Sequence, residues 1–127
     1  MGTQRISESE LILPALYLMK RNGGHINTSL LINLLTGLMK PEGLDAEILE
    51  GRNDTYFSQK VRNLKSHNTF ERYGYATYNG IDFTITDKGV KFVEDNEENL
   101  KYLFASGFDY DDVKYSLGRI VKTKKKI

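Results

Sequence analysis

A mainly helical α+β fold is what this 127-residue sequence predicts, on three observations. Apolar residues recur at helical spacing in three capped segments before residue 65. The period then changes to two in Tyr75–Tyr78 and Ile81–Ile85, around Asn79-Gly80. A helical period returns after Thr86. Three helices followed by a two-stranded wing is the order of a winged helix-turn-helix, here with one or two additional C-terminal helices.

Each element has its own local warrant. Ser7 or Ser9 caps a first helix over residues 8–21, apolar almost all round through Leu11, Ile12, Leu13, Ala15, Leu16, Leu18 and Met19. Pro14 sits most easily in a first turn, which puts the regular start near Ile12, and Asn22-Gly23-Gly24 stops the helix. Asn27 or Thr28 caps a second helix from Ser29 to about Met39, with Leu30, Leu31, Leu34, Leu35 and Leu38 inward and Pro41 and Gly43 at its end. A short helical turn is expected over Asp45–Glu50, carrying Leu44, Ile48 and Leu49. Gly51 breaks it, and Asp54 or Thr55 caps the third helix.

On that third helix Phe57, Val61 and Leu64 form the narrow stripe of a helix buried on one side. The opposite face carries Thr55, Gln59, Arg62, Asn63 and Ser66, with Tyr56, Ser58, Lys65 and His67 on the flanks. Every outward residue can donate a hydrogen bond, and no acid follows Asp54 on the helix. Surface helices usually interleave Glu with Lys, whereas phosphates and base edges want donors. The expected duplex-DNA contacts are therefore Arg52, Asn53, Thr55, Tyr56, Ser58, Gln59, Lys60, Arg62, Asn63, Lys65 and Ser66, with Tyr78 and Asn79 from the wing. Arg62 is the candidate for a guanine edge or phosphate fork, Gln59 and Asn63 for adenine edges.

Asn79-Gly80 predicts a type I′ turn, and Tyr73, Tyr75 and Tyr78 are expected to pack on the sheet with hydroxyls outward. Thr86-Asp87-Lys88-Gly89 caps a fourth helix through about Phe104, with Val90, Phe92, Val93, Leu100 and Leu103 apolar, closed by Ser106-Gly107. A fifth spans Asp109–Val121 with Val113, Leu117 and Ile120 on one face, before a frayed basic tail at 122–127.

Composition narrows the class. Apolar and charged fractions of 39% and 28% are those of a globular chain, of single-domain length. There is no transmembrane-length apolar run, no apolar signal-peptide core after Met1, and no cysteine for disulfides or thiolate metal sites. The expected setting is cytoplasmic and nucleoid-associated. A net charge of +1 conceals segregation: residues 52–72 carry +3, residues 86–112 carry −5, and residues 113–127 carry +6. Two basic segments on a dipolar chain suit a polyanion at one face.

Three stretches also carry a family likeness. Glu10-Leu11-Ile12-Leu13-Pro14-Ala15-Leu16 resembles the opening of the winged-helix N-terminal domain of Mrr-type restriction endonucleases. Gly51-Arg52 through Leu64 is similar to its third helix, with a Gly-Arg start, an aromatic and then Val-Arg. Ile85-Thr86-Asp87-Lys88-Gly89 resembles the Thr-x-x-Gly that follows a wing. The likeness covers roughly residues 8–93. It implies a DNA-targeting module with Arg52, Gln59, Lys60, Arg62 and Asn63 near DNA. It does not imply cleavage, because the nuclease of that family is a separate C-terminal unit with an Asp…(Asp/Glu)-x-Lys motif. Here residues 94–121 form a helical extension, a candidate dimerisation element, and 122–127 a basic tail. Both a free-standing transcription regulator and the targeting module of a restriction or defence system fit.

Other chemistries are weaker. His25 and His67 lack the spacing of a metal site, and Asp112-Val113-Lys114 matches only a fragment of the nuclease motif. No enzyme, cofactor or small-molecule ligand is expected. The aromatics Tyr102, Phe104, Phe108, Tyr110 and Tyr115 either complete the core against the first helix or form a homodimer interface. A protein-interaction module that binds no DNA is the alternative function.

Overall fold

The computed structural model describes residues 6–48, 54–105 and 108–125. Its elements in chain order are α1 (Glu8–Arg21), β1 (His25–Asn27), α2 (Thr28–Met39), a 3-10 turn (Gly43–Ala46), α3 (Tyr56–Ser66), α4 (Thr69–Tyr73), β2 (Ala76–Tyr78), β3 (Asp82–Ile85), α5 (Asp87–Ala105) and α6 (Tyr110–Lys125). The fold is mainly helical α+β, with one small antiparallel sheet in the order β1-β3-β2.

α1 is the centre of the core. Leu11, Ile12, Leu13, Ala15, Leu16 and Met19 are fully buried, and α2, α3, α4, α5 and α6 all pack against the helix. It spans the expected residues 8–21 with Ser7 as its cap, but its regular start is not near Ile12. Ser7 forms a capping box with Glu10: the Glu10 N–H donates to Ser7 Oγ at 3.3 Å, and the Ser7 N–H donates to the Glu10 carboxylate at 2.9 Å. That box fixes the first turn at Glu8 and leaves Pro14 inside the helix. Pro14 forfeits one backbone bond, and its ring is buried with the run from Leu11 to Leu16.

Asn27 caps α2, its side chain accepting from the Leu30 N–H at 2.8 Å. Leu31, Leu35 and Met39 are its buried stripe, whereas Leu34, expected inward, is exposed. The helical turn expected at Asp45–Glu50 lies earlier, at Gly43–Ala46, because Asp45 is drawn into the core. Its Oδ2 accepts from the Ile6 N–H at 2.8 Å and from the Tyr110 hydroxyl at 2.6 Å. Ile48 is exposed and bridges Thr55 in extended conformation. Leu49, Glu50 and Gly51 lie outside the described residues.

β1 pairs with β3 through His25↔Thr84, Ile26↔Phe83 and Asn27↔Asp82, so the sheet has a strand that the hairpin pattern does not announce. The β2–β3 hairpin closes without a type I′ turn, which would require positive φ at both Asn79 and Gly80. Only Gly80 has it, at 98°. Asn79 instead accepts from the Ile81 and Asp82 N–H groups at 2.9 and 2.8 Å. α4, also unexpected, fills the step between α3 and the hairpin.

The Thr-x-x-Gly sequence has a mechanical cause. Thr86 Oγ1 donates to the Gly74 carbonyl at 2.6 Å and accepts from the Gly89 N–H at 3.1 Å, capping α5 against the start of the hairpin. A Cβ at Gly89 would lie 2.2 Å from the Tyr75 carbonyl oxygen, so only glycine allows this approach. α5 is continuous through residues 93 and 94, and α6 extends to Lys125, into the stretch expected as a frayed tail.

Candidate nucleic-acid interface

The third helix forms where its stripe says it should. Thr55 is its N-cap, and Phe57, Val61 and Leu64 are fully buried. A stripe of three apolar side chains leaves the remaining side chains of α3 for other work.

Several outward residues are used by the helix itself. Thr55 Oγ1 accepts from the Ser58 N–H and donates to Ser58 Oγ, both at 3.0 Å, so this pair serves the cap. Gln59 Nε2 donates to Asn63 Oδ1 at 3.0 Å, one turn on. Arg62 forms a charge-assisted hydrogen bond with Asp54, just before the helix. These contacts leave Gln59, Arg62 and Asn63 half-buried rather than fully solvated, with Tyr56, Lys60 and Lys65 similar and Ser66 exposed. Arg52 and Asn53 lie outside the described residues.

The face is nonetheless donor-rich. A guanidinium has five N–H groups in a fork, and the Asp54 bond engages one of its nitrogens. Lys65 Nζ lies 5.8 Å from the centre of the Tyr78 ring, a cation–π contact that joins α3 to the hairpin. Tyr78 is itself tilted on Phe83, with ring centres 4.9 Å apart. The structure thus brings Lys65 of α3 and Tyr78 together, whereas the Asn79 side chain is occupied in closing the turn. Of the other tyrosines, Tyr75 is buried, stacked between Tyr73 and Phe92 at 5.5 and 4.6 Å.

Two acids that anchor this surface were invisible as such in the sequence. Glu8, at the start of α1, accepts from Thr69 Oγ1 at 2.6 Å and contacts His67 Nδ1 at 2.7 Å, tying the end of α3 and the start of α4 to α1. Asp54 orients Arg62. Neither pair has helical spacing, and only the fold brings its members together.

The remaining motifs resolve structurally. His25 faces Asp82 across the sheet at 3.6 Å. Lys114 is buried over the Tyr110 ring and pairs with Asp111 at 3.1 Å, while Asp112 is exposed. Among the described residues no group of three or more His, Asp and Glu side chains could hold a metal ion. No described helix is long and apolar enough to cross a membrane. Comparison with protein-family models, with curated proteins and with solved structures finds no match for this chain.

Proposed function

We propose that this chain is a winged helix that binds double-stranded DNA, with α3 entering the major groove and the β2–β3 hairpin lying along the adjacent backbone. The observation that carries the reading is the Lys65–Tyr78 contact, which joins the donor-rich face of α3 to the hairpin. The element order and the β1-β3-β2 sheet, with the hairpin strand β2 at its edge, support it. α4 is an insertion relative to the simplest arrangement. Lys60 and Lys65 supply affinity through phosphates, while Gln59, Arg62 and Asn63 read base edges. Asp54 pre-orients the Arg62 fork, lowering the entropy lost on contact. The role is DNA targeting without catalysis, in transcription control or, following the likeness to Mrr-type N-terminal domains, in restriction or defence. The setting is cytoplasmic and nucleoid-associated.

Selection of bound sequences from a random duplex pool, with and without base methylation, identifies the target. On that target Arg62→Ala or Asn63→Ala weakens binding by about 1–3 kcal/mol, and Lys60→Ala lowers the salt slope by about 1. Variants that bind mixed duplexes like the wild type overturn the reading. One observation favours a second reading, a partner-docking module indifferent to DNA: the aromatics Tyr102, Phe108 and Tyr115 are exposed. Salt separates the two, since phosphate contacts weaken steeply as salt rises and an aromatic interface does not.

A further inference from the structure

α5 and α6 both rest their buried sides on α1. Between their outer flanks runs a groove of about 300 Å³, lined by Asn99, Tyr102 and Leu103 of α5 and by Ser116, Arg119 and Ile120 of α6. Three aromatics stand on or beside these two helices: Tyr102 at 63% exposure, Phe108 at 41% and Tyr115 at 67%. Tyr102 and Phe108 meet edge to face at 5.6 Å, and the Arg119 guanidinium lies 5.8 Å from the centre of the Tyr115 ring. Exposed aromatics grouped beside an unfilled groove mark an interaction surface.

Charge identifies the occupant. Within its own bounds α5 carries five acids against three lysines, a net −2, whereas α6 carries five basic residues against Asp111 and Asp112, a net +3. On the exposed side of α5, Asp95 and Glu98 lead to Tyr102; on that of α6, Tyr115 leads to Arg119. One surface therefore sets the carboxylates Asp95 and Glu98 of α5 beside the Arg119 guanidinium of α6. A two-fold axis running along the helix pair lays the α5 carboxylates of each copy over Arg119 of the other, and aromatics over aromatics. A self-complementary surface of this kind is what an isologous contact requires.

We infer that a second copy of this chain docks on the α5–α6 surface, each Tyr115 entering the groove of the other copy and Glu98 facing Arg119 across the axis. The dimer stands on this surface alone. Its consequence, two α3 helices presented to two half-sites of a duplex, rests on the function proposed above.

Sedimentation velocity on the full chain at rising concentration tests it. The wild type sediments as a dimer. Tyr115→Ser weakens association at least ten-fold, with unchanged circular dichroism. Glu98→Lys and Arg119→Glu each weaken self-association, because like charges then meet across the axis, and mixing the two variants restores a dimer. Rescue on mixing arises only between chains. A monomeric wild type, a dimer indifferent to Tyr115→Ser, or a mixture no tighter than its components overturns the inference. A dimer that binds no duplex supports the inference while removing the DNA reading, and a duplex-binding monomer does the reverse.

Discussion

α3 and α6 are held in similar ways and present different chemistry outward. Both bury one stripe against the core: Phe57, Val61 and Leu64 on α3, and Tyr110, Val113, Leu117 and Val121 on α6. The outer side of α3 is polar, short of acids and stitched to itself by Gln59–Asn63 and Arg62–Asp54. The outer side of α6 keeps Tyr115 in water, with Arg119 against its ring. A buried stripe fixes where a helix lies, and the opposite side is then free to differ. Stability experiments should find the two helices alike, and association experiments should find them different.

The largest expected effect tests the likeness. Phe57→Ala removes a fully buried ring from beneath α3 and is expected to cost about 3–5 kcal/mol. Leu117→Ala, equally buried under α6, is expected to cost about 2–5 kcal/mol. Urea titration followed by circular dichroism measures both. A loss under about 1 kcal/mol at Leu117 would mean that α6 is only loosely docked, and the parallel between the two helices would break.

What the sequence reveals of these elements follows from how far apart the cooperating residues lie. The α3 stripe is legible because Phe57, Val61 and Leu64 recur within three turns, and the hairpin because Asn79-Gly80 sits between two alternating runs. β1 is not legible: in three residues only Ile26 is buried, and its partners lie beyond residue 80. α4 has five residues, too few to display a period. Of the candidate interface, the residue types could be read but not their state, because the Asp54–Arg62 separation of eight positions matches no local pattern. The burial of Asp45 depends on partners 39 and 65 positions away. Propensity sees an acid in a turn, and only the tertiary structure supplies its donors.

That buried acid gives α6 an anchor of its own. The Tyr110 hydroxyl donates to Asp45 Oδ2, while Asp45 Oδ1 is buried with no hydrogen-bond partner among the described residues. Tyr110→Phe deprives the carboxylate of one of its two donors and is expected to cost about 1–3 kcal/mol. The effect depends on pH. Burial first, and then the Asp45 carboxylate, hold the Tyr110 phenol well above its ordinary 10.0. Above pH 10 the unfolded chain releases this proton while the folded chain keeps it. The stabilisation is therefore complete below pH 10 and falls as pH rises beyond it. Denaturation of the wild type at pH 8 and pH 11 should show a decline that is smaller in Tyr110→Phe. The variant keeps some, since burial and Tyr73 raise Tyr75 in the same sense. An unchanged decline would mean that Tyr110 ionises in place.

The smallest effects on stability fall where the two outer faces differ, and there they sharpen the contrast. Arg62 stands half in solvent, and its pair with Asp54 belongs to a class worth about 0–1 kcal/mol. Tyr115 is mostly exposed, and substitutions at such positions usually fall within about 0.5 kcal/mol. Arg62→Ala and Tyr115→Ser should therefore unfold close to the wild type when both are measured as dilute monomers. Their losses should appear only in association, Arg62→Ala in duplex binding and Tyr115→Ser in self-association. A large stability loss for Arg62→Ala would make the Asp54 pair a structural clamp and remove its role in orienting a reading side chain. A duplex defect confined to Arg62→Ala and a self-association defect confined to Tyr115→Ser would assign each face a separate partner.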